Sequence, residues 1–262
     1  MDRAAPRIWT LPALPRVECF RAQALVHHYQ RHSHESYAIG VIEDGVGGNS
    51  CRGSTHRHPP GTIVAMNPDE AHTGYAAENK PLSYRMFYVT PGALRDLIPS
   101  KTDFWFRDVG IKDRECAREL LDFHRRCEVS GGEFSLESAF TSLFNKLIHR
   151  HAIRAPMPSA GKEPRAVRLI KEYLEARYVV GARLAELVSL TQLDRAYLIR
   201  TFRNVVGMPP HRYLIQIRVR EAKRLIREGR PLAVVAAEAG FADQSHLTRH
   251  FKSLTGLTPG RY

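Results

Sequence analysis

Two rhythms of apolar and polar positions divide this chain. Over residues about 17–92, short apolar and β-branched runs are punctuated by turn formers. Residues 36–43 (SYAIGVIE) and 62–67 (TIVAMN) are such runs, and 82–90 (LSYRMFYVT) alternates in part and carries three aromatics. Glu43-Asp44-Gly45, Gly47-Gly48, Pro59-Pro60-Gly61 and Asn67-Pro68-Asp69 separate them. Short strands with turn signals at this spacing predict a sandwich or small barrel. From about residue 113 the period changes to 3–4, which predicts helices. One covers about 113–127, with Leu120, Leu121 and Phe123 among its apolar positions. The next covers about 136–151, with Phe140, Leu143, Phe144, Leu147 and Ile148. Ser130-Gly131-Gly132 breaks them apart. The apolar stripe of the second helix suits either a cover for the barrel or a dimer contact.

Residues 155–164 (APMPSAGKEP) hold three prolines and little apolar content, the composition of a linker. Beyond it everything reads as helix. A basic amphipathic helix is predicted over 165–178. A short one over 183–190 puts Leu184, Leu187 and Val188 on one face. Asp194 is an N-cap type. The helix it opens, 195–206, turns Leu198 and Phe202 inward at i, i+4 and closes at Gly207. Pro209-Pro210 starts a long helix to about 228. After Gly229, residues 232–239 (LAVVAAEA) suit a buried support helix, 240–242 a turn, and Asp243 a cap for a helix through 254.

This third of the chain repeats itself. Shifted by 49 positions, 194–213 matches 243–262 at eight of 20 places: Asp194/Asp243, Leu198/Leu247, Arg200/Arg249, Phe202/Phe251, Gly207/Gly256, Pro210/Pro259, Arg212/Arg261 and Tyr213/Tyr262. Those are caps, core apolars, surface arginines and turn formers. One helix–turn–helix unit built twice needs that set, and reading two adjacent DNA grooves gives a reason to build it twice. The intervening helix of 18 residues spans about 27 Å at 1.5 Å per residue. Successive major-groove faces lie ~34 Å apart.

Charge sharpens the division. The net charge is +12, yet residues 1–159 carry 20 Lys+Arg against 18 Asp+Glu, while 160–262 carry 19 against 9. One half therefore meets a polyanion. Charge alone leaves RNA and a membrane surface open; the helical repeat favours double-stranded DNA. The chain contains no apolar run of 18 residues, and its start lacks the apolar core of a secretory signal. Cys19, Cys51, Cys116 and Cys127 form no CxxC pair, as expected of reduced thiols in a cytoplasmic protein.

Residues about 163–262 resemble the AraC/XylS transcription regulators. GFADQSHLTRHFKSLTGLTPGRY (240–262) follows that family's pattern at nearly every fixed position, and RAYLIRTFRNVVGMPPHRYL (195–214) is similar to the first-unit counterpart. The resemblance implies that the second helix of each unit enters the major groove. Ala196, Ile199 and Arg200 would then face bases from the first unit, and Gln244, Ser245, His246 and Arg249 from the second. Arg203, Arg212 and Lys252 would meet phosphates. The chemistry suits those roles: Arg pairs bidentately with guanine, Gln with adenine.

Seven of the 13 histidines fall between residues 27 and 72. Residues 32–47 and 59–72 resemble the cupin-type sensor barrel found N-terminal to such regulators. His32, His34 and His72 occupy three places of the cupin metal set, but the carboxylate place falls on Ala38 or Ile39, and Glu35 has the wrong spacing. The expectation is a metal-free effector pocket lined by His32, His34, Glu35, Tyr37 and His72, with no catalysis and no cofactor. The alternatives are a divalent metal as effector on His32, His34 and His72, and, further off, a cupin metalloenzyme carrying a DNA-binding appendage. No P-loop, nucleophile elbow or Rossmann glycine set is present.

The expected protein is thus α+β with two domains. Residues 1–154 form a cupin-like barrel with trailing helices, 155–164 a linker, and 165–262 an all-α domain with helix–turn–helix units at about 183–206 and 231–254. Its expected partners are promoter DNA, a small-molecule effector, a second copy of itself and RNA polymerase; a membrane is not among them.

Overall fold

The computed structural model describes residues 6–97, 104–129, 133–154 and 164–262. The chain divides into two compact units. Met1–His28 and Ser33–Pro158 make one, and Tyr29–His32 groups with Ser159–Tyr262 in the other. All of the 155–164 linker but Pro164 lies outside the described residues, as does the break at 130–132.

The strands up to residue 89 are β1 (Arg7–Leu11), β2 (Leu14–Leu25), β3 (His28–His32), β4 (Tyr37–Asp44), β5 (Gly47–Cys51), β6 (Ser54–His58), β7 (Ile63–Met66), β8 (His72–Ala76) and β9 (Leu82–Val89); all belong to the first unit except β3, of which only His28 does. A short helix α1 (Pro91–Arg95), strands β10 (Phe104–Phe106) and β11 (Gly110–Ile111), helices α2 (Arg114–Arg126) and α3 (Glu133–His151) and strand β12 (Ala152–Arg154) follow. Among the described residues, one sheet has the order β1-β2-β9-β4-β7-β11 and a second β3-β8-β5-β6. Every described pairing in them is antiparallel. Strand β4 is buried from Tyr37 to Ile42. It lies between β9 and β7 and is covered on both faces, so its sequence runs apolar without alternation.

Register settles which side chains meet what. Cys19, Ile39 and Phe87 pair across β2, β4 and β9 and share one face. That face packs under α2 and α3: the Phe87 ring lies 5.5 Å from Phe123 and 5.7 Å from Phe144. Leu136, Phe140, Leu143, Phe144, Leu147 and Ile148 are all buried in this same core. The stripe of α3 is therefore spent inside the chain: of the two uses open to it, the cover over the sheet is the one found, and the dimer contact is not made through these residues. A further buried imidazole belongs to this layer. His124 Nδ1 accepts from Arg85 at 3.1 Å and Nε2 donates to Phe20 O at 3.1 Å. Burial and the Arg85 charge hold its pKa down to about 3.

The opposite sheet face carries Phe20, Ala38, Met66 and Met86. It turns toward the second sheet, where Asn49 Nδ2 reaches Met66 Sδ at 4.0 Å.

The second unit is helical: α4 (Arg165–Ala176), α5 (Leu184–Thr191), α6 (Arg195–Val206), α7 (Pro210–Arg227), α8 (Leu232–Glu238), α9 (Gln244–Thr255) and a closing 3₁₀ turn, Pro259–Arg261. Val167, Ile170 and Leu174 of α4 and eight residues of α7 are buried, as their 3–4 spacing requires. No helix among the described residues is long and apolar enough to cross a membrane.

Candidate nucleic-acid interface and barrel histidines

The 49-residue repeat is a repeat of geometry. Helices α6 and α9 have 12 residues each and begin 49 positions apart. The Asp194 carboxylate accepts from Ala196 N at 2.9 Å and Tyr197 N at 3.1 Å; Asp243 accepts from His246 N at 2.6 Å. Amide donors satisfied in this way fix the first turn. The bonds favour the charged form, so the Asp194 carboxyl sits below the usual carboxylate range, the Tyr197 N–H being the largest cause. Each helix ends on a left-handed glycine, Gly207 at φ 81° and Gly256 at φ 77°. Leu198, Phe202, Leu247 and Phe251 are fully buried. Phe202 meets Tyr213 edge-on at 5.7 Å, and Phe251 meets Tyr262 the same way at 5.2 Å. Helices α5 and α8 lie behind, with Leu187 in one and Val235 and Ala236 in the other buried.

With the apolar positions committed, the other faces of α6 and α9 point outward. Ala196, Arg200 and Arg203 are exposed and Ile199 is half-buried; Gln244, Ser245, Arg249 and Lys252 are exposed, as is Arg212 at the start of α7. His246 departs from this group. Its Nδ1 accepts the Ala242 N–H at 3.3 Å, and its ring packs edge-on against Phe241 at 5.4 Å and His250 at 4.7 Å. The imidazole helps to hold the α8–α9 turn, a structural task that the other expected base-facing residues do not share. Burial, then the neighbouring His246, pushes His250 down to about 4, so it adds no charge there at neutral pH. The residue that sequence reasoning passed over is Tyr197. It is 48% exposed and lies under Arg200, whose guanidinium carbon is 5.4 Å from the ring centre. The repeat held the signal, because Tyr197 is the counterpart of His246, yet only one of the two rings is drawn into a turn.

The barrel residues separate more widely. The His34 and His72 rings meet edge-on at 4.7 Å and bring ligand-type nitrogens within 4.8 Å. The Nδ1 atoms lie 3.4 Å from Ser36 O and 2.7 Å from Glu70 O. His32 Nδ1 lies 2.7 Å from Gln30 O, and its contacts group it with the second unit. Glu35 is exposed. Tyr37 is buried in the helix-covered core, stacked on Phe104 at 5.0 Å, with its hydroxyl donating to Phe104 O at 2.8 Å. A side chain so engaged is a core residue, which corrects its place in the pocket set.

The AraC-like ligand binding domain model matches residues 14–144, and a helix-turn-helix domain model matches 187–262. The chain belongs to the AraC family of transcriptional regulators. An uncharacterized HTH-type transcriptional regulator of Bacillus subtilis, YbfI, is 28% identical to this AraC-family chain over 236 residues, covering 88% of it and 86% of the relative. The transcriptional activator RhaS of Citrobacter koseri is 20% identical, covering 86% and 84%. The fold is that of ToxT from Vibrio cholerae. An apo form superposes with TM-score 0.59 at 13% identity over 94% of this chain and 96% of ToxT. A form bound to unsaturated fatty acid gives 0.53 at 14% over 94% and 93%. The regulator therefore combines an N-terminal ligand-binding domain with a DNA-binding helix–turn–helix domain.

Proposed function

We propose that this AraC-family regulator reads two consecutive major-groove segments with α6 and α9, under control of a small molecule held in the N-terminal barrel. The observation that carries the proposal is the pair of geometrically repeated helices that leave Arg200 and Arg249 exposed at equivalent positions. Arg200, Arg249 and Gln244 are the base readers, each worth ~1–3 kcal/mol of discrimination. Ala196 and Ile199 offer apolar contact to a thymine methyl, and Ser245 a hydroxyl. Arg203, Arg212 and Lys252 neutralise phosphates. Tyr197 steadies Arg200 through its ring. The repeated units differ at Ala196/Ser245 and Ile199/Thr248, so the two segments read are of different sequence.

Three bidentate-capable readers supply ~3–9 kcal/mol in all, at the low edge of what separates a specific site from a genome of competitors. Binding as a homodimer on neighbouring sites, with RNA polymerase contacted from the bound complex, follows as part of the proposal. So does a cytoplasmic location, where the DNA is. The barrel is read as a binding domain and not an enzyme. The carboxylate position of a metal-holding cupin falls on Ala38 and Ile39, both buried and apolar.

Selection of duplexes from a random pool by the full chain tests the reading. The expected result is a two-part motif whose parts lie ~10–10.5 base pairs apart, centre to centre. Recovery of a single segment, or no enrichment, would overturn it.

A second reading is favoured by the approach of His34 to His72. Two imidazoles whose Nδ1 atoms face backbone carbonyls are oriented as metal ligands commonly are. A divalent ion as effector would use these two, with His32 two residues ahead of His34. The missing carboxylate leaves the set short of a closed site. Elemental analysis of the protein purified with zinc or nickel supplied decides it. Metal in the wild type, lost in His34→Ala and His72→Ala, is the supporting result, and metal-free wild type removes the reading.

A further inference from the structure

The start of α2 and the end of α3 bring three metal-ligand groups into one corner of the first unit. Asp113 caps α2, Cys116 lies in its first turn, and His151 closes α3. The Asp-x-x-Cys spacing turns the cap carboxylate and the thiol to the same side of that turn, where Asp113 Oδ1 accepts from Cys116 N at 3.0 Å. Packing of α3 on α2 then delivers His151, whose Nε2 stands 2.8 Å from Asp113 Oδ2. A carboxylate oxygen of Asp113, the Cys116 sulfur and a ring nitrogen of His151 all lie within 4.8 Å of one another. Cys116 is buried, whereas Asp113 and His151 are partly open to solvent, so an ion has a way in. Arg150 already places a positive charge here. Its Nη1 lies 3.3 Å from Asp113 Oδ2 and 3.8 Å from Cys116 Sγ, but its shortest bond of the three, 2.7 Å, goes to Glu115.

We propose that Asp113, Cys116 and His151 form a binding site for a divalent transition-metal ion of the zinc class, which clamps the start of α2 to the end of α3. The site is separate from the barrel histidines His34 and His72 and stands independently of the DNA-reading proposal. The donor set carries the choice of ion. Thiolate, imidazole and carboxylate together suit zinc and its neighbours, while magnesium and calcium take oxygen ligands. A tetrahedral zinc ion with bonds of about 2.0–2.3 Å keeps its ligand atoms ~3.3–3.6 Å apart. His151 must therefore draw back from Asp113 by about half an ångström, and the sulfur must close on each of the others by at most ~1.2 Å. Binding expels the thiol proton to solvent. The neutral imidazole keeps its one proton on Nδ1 and gives the Nε2 lone pair to the ion. One thiolate and one carboxylate then balance the two charges of the ion, which avoids leaving net charge in a half-buried corner. Asp113 still caps α2 through Oδ1 while Oδ2 meets the ion, Arg150 keeps Glu115, and water takes the fourth position.

The test is loading of the full chain, reduced and stripped with chelator, with zinc and with cobalt. The expected result is a bound ion that gives a near-ultraviolet thiolate-to-cobalt absorption band, and a rise in Tm of several degrees with excess zinc. Cys116→Ala and His151→Gln should each lose the band and the Tm rise, whereas His34→Ala and His72→Ala should keep both. A wild type that takes up no cobalt, or takes it up without the thiolate band, overturns the proposal, and that readout needs no variant to fold. A corner held by ion pairs alone gives this same null result. Retention of the band in Cys116→Ala places the sulfur ligand elsewhere and overturns the proposal equally. So does loss of the band in His34→Ala or His72→Ala with retention in His151→Gln, which assigns the ion to the barrel histidines.

Discussion

At the scale of single residues, the two aspartate caps do the same work in different settings. Asp243→Ala should cost about 1 kcal/mol in urea unfolding, the usual loss when an N-cap acceptor is removed. Asp194 adds a pH signature. Its folded-state pKa is depressed, so its stabilisation is complete above the unfolded carboxylate value of about 4 and fades as pH falls through the folded value. Asp194→Asn keeps a capping oxygen and loses the titration. The pH dependence of its stability should therefore flatten relative to wild type below the unfolded carboxylate value of about 4, and an unchanged slope there would contradict the assignment. Residue types alone made the caps, the Leu and Phe anchors and the arginines legible. They did not separate His246 from Tyr197, because identical helical positions say nothing about which ring a turn amide captures. Nor did they show that Tyr37 would stack on Phe104, since a tyrosine's polar tip fits a pocket or a core carbonyl equally well.

At the scale of elements, the two ends of the second support helix make a paired experiment. Gly229 and Gly240 both have positive φ, 74° and 79°. A Cβ on Gly229 meets nothing within 4 Å, whereas on Gly240 it would stand 2.6 Å from Val179 O and 2.7 Å from Tyr178 O. Gly229→Ala should cost only the left-handed strain, about 1 kcal/mol. Gly240→Ala should cost at least twice that, read as midpoints of denaturant unfolding. The helices of the second unit were readable to within a residue or two because caps and glycines mark most of their ends, whereas α1 was not foreseen and α3 begins three residues earlier than expected. Strands were readable where the run is apolar, as in β4, β7 and β9. Strand β6 (STHRH) was not, because Ser54, Thr55 and Arg57 are exposed and its two inward positions are histidines. The buried polar face of Asn49, His56 and His58 was hidden for the same reason: the segment looks like a loop until pairing with β5 fixes its register.

At the scale of the whole molecule, the sensing and reading tasks are divided between two parts of very unequal positive charge. Residues 160–262 hold 19 basic against 9 acidic residues, so DNA affinity should fall steeply with salt. Lys252→Ala should lower the salt slope by about 1 and weaken all sequences alike. Arg249→Ala should do something different, and comparing the two separates reading from attraction. The most direct test is the ratio of Kd for the selected duplex to that for a shuffled one, measured at fixed salt for wild type, Arg249→Ala and Lys252→Ala. Arg249→Ala is expected to reduce the specificity by about 10–100-fold while Lys252→Ala leaves it nearly constant. An Arg249→Ala protein that keeps the wild-type ratio would contradict the claim that α9 reads bases.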